Sequence, residues 1–409
     1  MSLNDTPSAE RIHIGIFGQR NAGKSSLINA LTSQSLAIVS EQKGTTTDPV
    51  SKSMELLPLG PVIITDTPGL DDVGELGKLR VEKAQQVLNK TDLALLVIDA
   101  ALGPAEEDFR LWRLIQEKHI PGLVVLNKSD LLLEVQQVQA LSEALQLTDS
   151  GHILLVSSQS GSNIYELKEA LTRLRPVKKE QMLLDDLLQP LDLVVLVTPI
   201  DKAAPKGRLI LPQQLVLRNA LDNGARILVV RDTELADLPL TVKPRLVITD
   251  SQVFAKVSKI IPKELPLTSF SILMARYKGI LASAIKATRL LDSLKDGDRV
   301  LISEGCTHHR QCNDIGTVKL PQLIRRFTQA EPDFSWTSGT EFPKDLSSYK
   351  LIIHCGGCML NEREMQYRND YAHEQGIPMT NYGLAIAYMN GLLERSLAPL
   401  PGYAELLQK

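Results

Sequence analysis

The segment Gly18-Gln19-Arg20-Asn21-Ala22-Gly23-Lys24-Ser25 follows the apolar run Ile12–Phe17 and opens a helical stretch, Lys24–Thr32. It fits G-x-x-x-x-G-K-[ST] in the strand-to-helix context that gives this pattern its meaning. Glycines let the backbone curl until its N–H groups face a phosphate chain. Lys24 adds a point charge for the β- and γ-phosphates, and Ser25 offers a hydroxyl to Mg²⁺. Gly18, Asn21, Ala22, Gly23, Lys24, Ser25 and Ser26 are therefore the candidate phosphate-loop residues.

A loop of this kind needs a parallel sheet behind it, and the first third of the chain supplies one. Val62–Thr65, Leu93–Asp99, Leu123–Asn127 and Ile153–Ser157 read as strands. Amphipathic segments, Glu106–Lys118 and Val135–Ala144, lie between them. Strand–helix alternation predicts an α/β domain with a mainly parallel sheet.

Three further segments follow strands at the places where ligands collect. Asp66-Thr67-Pro68-Gly69 offers a carboxylate to Mg²⁺ and the Gly69 N–H to a γ-phosphate. Asn127-Lys128-Ser129-Asp130 offers the Asp130 carboxylate to the guanine N1–H and 2-amino group, a donor pair adenine lacks. Ser157 and Ser158 can close over the base. Order and spacing resemble a translation-factor-type GTPase domain over about residues 10–175. Gly44-Thr45-Thr46-Thr47-Asp48 resembles the first switch of the TrmE/Era group, and that resemblance implies Thr46 as the residue reaching Mg²⁺. It also implies a potassium ion beside Asn21. Lys24, Thr46, Asp66 and Gly69 form the expected hydrolytic set. Leu70 stands where Ras-like enzymes carry a water-orienting Gln, so slow turnover stimulated by K⁺ is expected.

A linker-like stretch, Arg175–Glu180, ends the first block. The second is a small α/β unit: strands at Leu193–Val197, Ala225–Val230 and Leu246–Ile248, helices at Pro212–Asp222 and about Ser251–Ile260. It carries no chemical motif, which suits an interaction or dimerisation role. The third block starts near Tyr277. Its strand Arg299–Ser303 runs into Glu304-Gly305-Cys306, and Leu351–His354 runs into Cys355-Gly356-Gly357-Cys358. Helices are expected at Ile280–Leu291, Leu320–Phe327 and Glu362–Gln375.

The four cysteines, Cys306, Cys312, Cys355 and Cys358, all fall in this last block, which points away from a disulfide scaffold and towards a local metal or redox site. Cys306-Thr307-His308 and His354-Cys355-Gly356-Gly357-Cys358 gather thiolates with imidazoles nearby. Thiolates suit zinc or an iron–sulfur cluster. Cys312 reads as a spare thiol.

A GTPase domain, a small α/β domain and then C-x-H…H-C-x-x-C resembles the HydF-type [FeFe]-hydrogenase maturation GTPase over nearly the whole chain. The resemblance implies a [4Fe–4S] cluster on Cys306, Cys355 and Cys358. The fourth position stays open among His308, His354, Glu304 and water. It implies a homodimeric scaffold that takes a diiron precursor from two radical-SAM maturases and delivers it to apo-hydrogenase. Expected boundaries are 1–175 for the GTPase domain, 176–276 for dimerisation and 277–409 for the cluster. GTP or GDP, Mg²⁺, the cluster and K⁺ are the implied ligands.

The main rival is a TrmE/Era-like RNA-modification or ribosome-assembly GTPase with a structural zinc site. Composition weighs against it: Lys+Arg is 45 and Asp+Glu 48, a net charge of −3, and aromatics are 4%. A broadly basic surface and a supply of stacking rings are both lacking, so no nucleic-acid partner is expected. The polar start and the short apolar runs predict a soluble, cytoplasmic chain with no membrane partner.

Overall fold

A computed structural model describes residues 6–32, 49–68, 75–131, 152–175, 182–199, 209–238, 243–305 and 314–407. The chain divides into two compact units, Met1–Lys178 and Lys179–Lys409.

In the first unit the strands are β1 (Ile12–Phe17), β2 (Val50–Leu56), β3 (Gly60–Asp66), β4 (Leu93–Asp99), β5 (Gly122–Asn127) and β6 (Ile153–Leu155). They form one sheet in the order β2-β3-β1-β4-β5-β6, parallel throughout except that β2 runs antiparallel to β3. Helices α1 (Lys24–Thr32), α2 (Glu75–Asn89), α3 (Glu106–Glu117) and α4 (Ile164–Arg173) accompany it. β1, β4 and β5 are almost wholly buried because both faces are covered, which is why they read as continuous apolar runs. Alternate residues serve separate cores. Ile14, Ile16, Leu95, Val97 and Val125 pack with Leu27 and Leu167, while Leu96, Ile98 and Leu126 pack with Leu111 and Trp112. The expected segment Val135–Ala144 lies outside the described residues.

The second unit holds two four-stranded parallel sheets. One has the order β10-β9-β7-β8, from β7 (Leu193–Val197), β8 (Arg226–Val230), β9 (Leu246–Thr249) and β10 (Leu267–Ser269). The other has the order β12-β11-β13-β14, from β11 (Arg299–Glu304), β12 (Asp333–Ser338), β13 (Leu351–His354) and β14 (Met379–Asn381). The helices are α5 (Leu211–Asp222), α6 (Phe254–Ile260), α7 (Phe270–Tyr277), α8 (Leu281–Thr288), α9 (Leu320–Thr328), α10 (Glu362–Glu374), α11 (Tyr382–Met389) and α12 (Leu393–Leu397).

A single apolar cluster joins the two sheets. It includes Val194 and Leu196 of the first, Leu301 and Ile352 of the second, and Ile272, Leu273, Ile285 and Leu384 from the helices between. Helix α7 ends where the sequence suggests a division. Its start is fixed by Ser269, whose Oγ accepts from the Ile272 N–H, an N-cap that satisfies one orphan donor. Asn381 caps α11 in the same way and also donates to the Ser271 carbonyl at 3.0 Å, so the starts of two helices are tied together.

Candidate functional site

Two sites arise at the same kind of place: the point in a parallel sheet where successive connections depart to opposite sides, leaving a crevice beyond the strand ends.

In the first unit this point lies between β1 and β4. Gly18 leaves β1 with φ +139°, and a Cβ there would lie 2.1 Å from the Val97 carbonyl oxygen. Only glycine lets the loop start so close to β4. Gly23, at φ +89°, closes the loop where a Cβ would lie 2.2 Å from Asn127 Nδ2. Lys24 Nζ donates to the carbonyls of Gly18 at 3.0 Å and Gln19 at 2.7 Å, curling back over the loop. Asn21 is exposed, in the left-handed region at φ 63°.

Ser25 Oγ donates to Asp66 Oδ2 at 2.8 Å. Burial pushes the Asp66 carboxyl above its usual range, opposed by the Ser25 hydroxyl and the Lys24 charge. Asp66 Oδ1 is buried without a hydrogen-bond partner. A desolvated carboxylate with an unpartnered oxygen, beside a hydroxyl, offers the oxygen ligands that Mg²⁺ takes. These residues fit that ion.

Asn127 joins the loop to the base side. Its Nδ2 donates to the Ala22 carbonyl at 3.0 Å, and its Oδ1 accepts from the Ser158 N–H at 3.1 Å and hydroxyl at 2.5 Å. Lys128, at φ 63°, donates to Asp99 Oδ2 at 2.6 Å. Burial pushes Asp99 up, but Lys128 and the Ala101 N–H outweigh it and hold the carboxyl below its usual range. Asp130 is exposed on a short turn, Ser129–Leu131, while Ser157 is buried. So Asp66 and Asn127 end β3 and β5, while Gly18, Asn21, Ala22, Gly23, Lys24, Ser25, Ser26, Lys128, Asp130, Ser157 and Ser158 sit in the loops leaving β1, β5 and β6 or in the first turn of α1. Thr46, Gly69 and Leu70 lie outside the described residues. Sequence reasoning missed Asp108. It is buried, and its Oδ2 accepts from Gln19 Nε2 at 3.0 Å and from the Ala105 N–H at 3.0 Å. Burial holds it above the usual carboxylate range. One signal was available: an Asp in the first turn of α3, where a carboxylate caps.

In the second unit the corresponding point lies between β11 and β13, where Ser303 and His354 are register partners. Glu304 ends β11 and Cys355 follows β13. The Cys355 amide donates to the Ser303 carbonyl at 2.8 Å. Its Sγ accepts from the Gly305 N–H at 3.0 Å and the Gly357 N–H at 3.4 Å. Buried Glu304 accepts from Tyr382 Oη at 3.1 Å. Burial pushes the Cys355 thiol up to about 11, helped by Cys358 and Glu304 and opposed by the two N–H groups. Burial also raises Cys358, against the Lys278 charge and nearby N–H groups. Two desolvated thiols, one aimed at backbone donors, fit a soft metal centre that would hold them as thiolates. Among the described residues no group of three or more His, Cys, Asp or Glu converges on a metal point. Cys306, His308 and Cys312 lie outside those residues.

His354 is one of the open candidates for the fourth position. It is fully buried behind Cys355, and both ring nitrogens are engaged: Nδ1 with the Cys355 carbonyl at 2.8 Å, Nε2 with Arg368 Nη1 at 3.0 Å. Burial and the Arg368 charge hold its pKa down to about 3. Arg368, which sequence reasoning did not single out, is also fully buried.

Comparison with known proteins follows the same division. Residues 13–128 match the 50S ribosome-binding GTPase family, 183–279 the hydrogen maturase F dimerization domain, and 283–399 the hydrogen maturase F tetramerization domain. The GTPase Der of Wolinella succinogenes is 35% identical over 176 residues, 42% of this chain and 37% of that protein. The tRNA modification GTPase MnmE of Alkaliphilus oremlandii is 34% identical over 160 residues, 39% of this chain and 33% of that protein. The chain thus spans about a third of the length of these curated relatives. A crystal structure of Aquifex aeolicus Era bound to GDP·AlF4⁻ covers 61% of this chain and 97% of its own at 22% identity, with a TM-score of 0.36. Among the described residues no helix is long and apolar enough to cross a membrane.

Proposed function

Because this chain carries both hydrogen maturase F domains behind a GTPase domain, the domain set of a HydF-type hydrogenase maturation GTPase, we propose that it is a GTP-hydrolysing scaffold for [FeFe]-hydrogenase assembly. Its cargo is the diiron precursor, received from radical-SAM maturases and passed to apo-hydrogenase. The observation that carries this reading is Cys355, held at the crevice between β11 and β13 with two backbone N–H groups on its sulfur.

The phosphate loop from Gly18 to Ser26 wraps the phosphates, and Lys24 leaves its carbonyl partners to neutralise them. Ser25, Asp66 and Thr46 hold Mg²⁺, which supplies charge to the phosphates when bound. The Gly69 N–H reads the γ-phosphate. Asn21 contributes to a K⁺ site. Asp130 selects guanine, with Asn127, Lys128, Ser157 and Ser158 shaping the base pocket. Cys306, Cys355 and Cys358 hold a [4Fe–4S] cluster, which offers an iron for a further ligand. Glu304, already buried at that crevice, is a carboxylate within the same shell, and His308 is the remaining imidazole candidate. The functional regions are 1–175, 176–276 and 277–409, the second pairing two copies of the chain.

Anaerobic reconstitution with iron and sulfide tests the reading. A brown protein with about four irons per chain is expected. Colourless protein with stoichiometric zinc would sink it. GTP hydrolysis is expected to be slow and faster in K⁺ than in Na⁺; equal rates would remove Asn21 from its role.

A further inference from the structure

Arg368 and His354 are both fully buried, fourteen residues apart in sequence, at the back of the cysteine crevice. The Arg368 guanidinium spends its donors in three directions. Nε donates to Glu364 Oε1 at 2.8 Å, Nη2 to the Gly339 carbonyl at 2.8 Å, and Nη1 meets His354 Nε2 at 3.0 Å. Its Cζ lies 5.2 Å from the centroid of the Phe342 ring. A guanidinium only donates, so His354 Nε2 must be the acceptor and carries no proton. The other ring nitrogen faces a carbonyl oxygen, which only accepts, so Nδ1 carries the proton and donates to Cys355. One tautomer satisfies both contacts. Neither ring nitrogen keeps a lone pair for a metal.

We infer that Arg368 and His354 form a relay that positions Cys355, and that His354 is not a cluster ligand. Cys355 is then fixed from every side: its amide on Ser303, its carbonyl on His354, its sulfur under the N–H groups of Gly305 and Gly357. A thiolate so held points in one direction before any metal arrives. Second-layer groups of this kind govern how firmly a metal centre is kept. The inference rests on the cluster reading above for its consequence, but not for its geometry.

Two measurements test it. In iron-free protein labelled with ¹⁵N-histidine, two-bond ¹H–¹⁵N correlations should show His354 as the Nδ1–H tautomer, identified by the signal that vanishes in His354→Asn. An Nε2–H tautomer overturns the relay. This arm decides even if the wild-type chain takes up no iron and sulfide, a result that would strike the cluster reading alone. In reconstituted protein, Arg368→Lys keeps the charge but loses the planar fork, and His354→Asn keeps the Arg368–Glu364 pair. Each should lose iron to a chelator about 10-fold faster than wild type while unfolding at a similar temperature. Loss at the wild-type rate overturns the inference. So does a directly coordinated imidazole nitrogen in pulsed EPR of the reduced wild type that disappears in His354→Asn.

Discussion

The Asn127 side-chain amide donates to the Ala22 carbonyl at 3.0 Å, across the mouth of the sheet in the first unit. It fastens the phosphate loop to the strand that presents the base-reading segment, and its Oδ1 fastens the same strand to Ser158. Removing it in Asn127→Ala leaves the buried Ala22 carbonyl and the Ser158 N–H without partners. Each such loss costs about 1–3 kcal/mol. The midpoint of urea unfolding of the first unit should fall, and GDP affinity, read by a fluorescent analogue, should drop about 10- to 100-fold. Unchanged affinity would mean that the loop holds its shape without this strut.

Asp66 and Ser25 make a second prediction. Asp66 stays desolvated with one unpartnered oxygen, so an ion that occupies it relieves a standing cost. Asp66→Asn removes the charge and keeps the shape. Wild-type affinity for GTP should fall on adding EDTA, whereas Asp66→Asn should bind weakly with or without Mg²⁺. A variant that keeps the EDTA response would place the ion elsewhere.

Base selection by Asp130 makes a third prediction; its carboxylate is exposed. In Asp130→Asn one oxygen becomes an NH₂ group, which repels the guanine donors and matches a carbonyl. GTP binding should weaken by about 100-fold or more, because a polar group is left facing its own kind. Xanthosine triphosphate, with a carbonyl at that edge, should bind better than GTP. A competition titration that leaves the order of the two nucleotides unchanged would contradict the assignment.

The nucleotide site was the more legible of the two because its parts are contiguous. Each motif sits at or just past the end of a strand, and β1, β4 and β5 announce themselves as unbroken apolar runs. Edge strands were harder. Val50–Leu56 and Asp333–Ser338 are largely polar and half-exposed, so no apolar run marks them. Leu267–Ser269 and Met379–Asn381 are three residues long, too short for any period to appear. Helix α7 has no polar face to give it a period: Phe270, Ile272, Leu273, Met274 and Ala275 are all buried. His354 shows a different limit. Its place beside Cys355 suggested a ligand, and only the fold brings Arg368 against its ring. Spacing reports which residues are near along the chain; it does not report which lone pairs are already taken.

The two glycines between Cys355 and Cys358 look alike in sequence and differ in space. Gly357 has φ +61°, and a Cβ there would lie 2.5 Å from Met365 Sδ. At Gly356 a Cβ would meet nothing within 4 Å. Gly357→Ala must therefore adopt a strained left-handed backbone and displace a Met365 that is itself buried. Its N–H, which points at Cys355 Sγ, would shift with it. Gly357→Ala should cost the second unit about 1–3 kcal/mol in urea unfolding and speed iron loss from reconstituted protein. Gly356→Ala should change either quantity little. Met365 is flexible enough to give way in part, so the left-handed backbone should dominate, and Gly357→Asn, which tolerates that region better, should recover some of the loss. Equal effects of the two alanine variants would show that the turn between the cysteines is not held in this conformation.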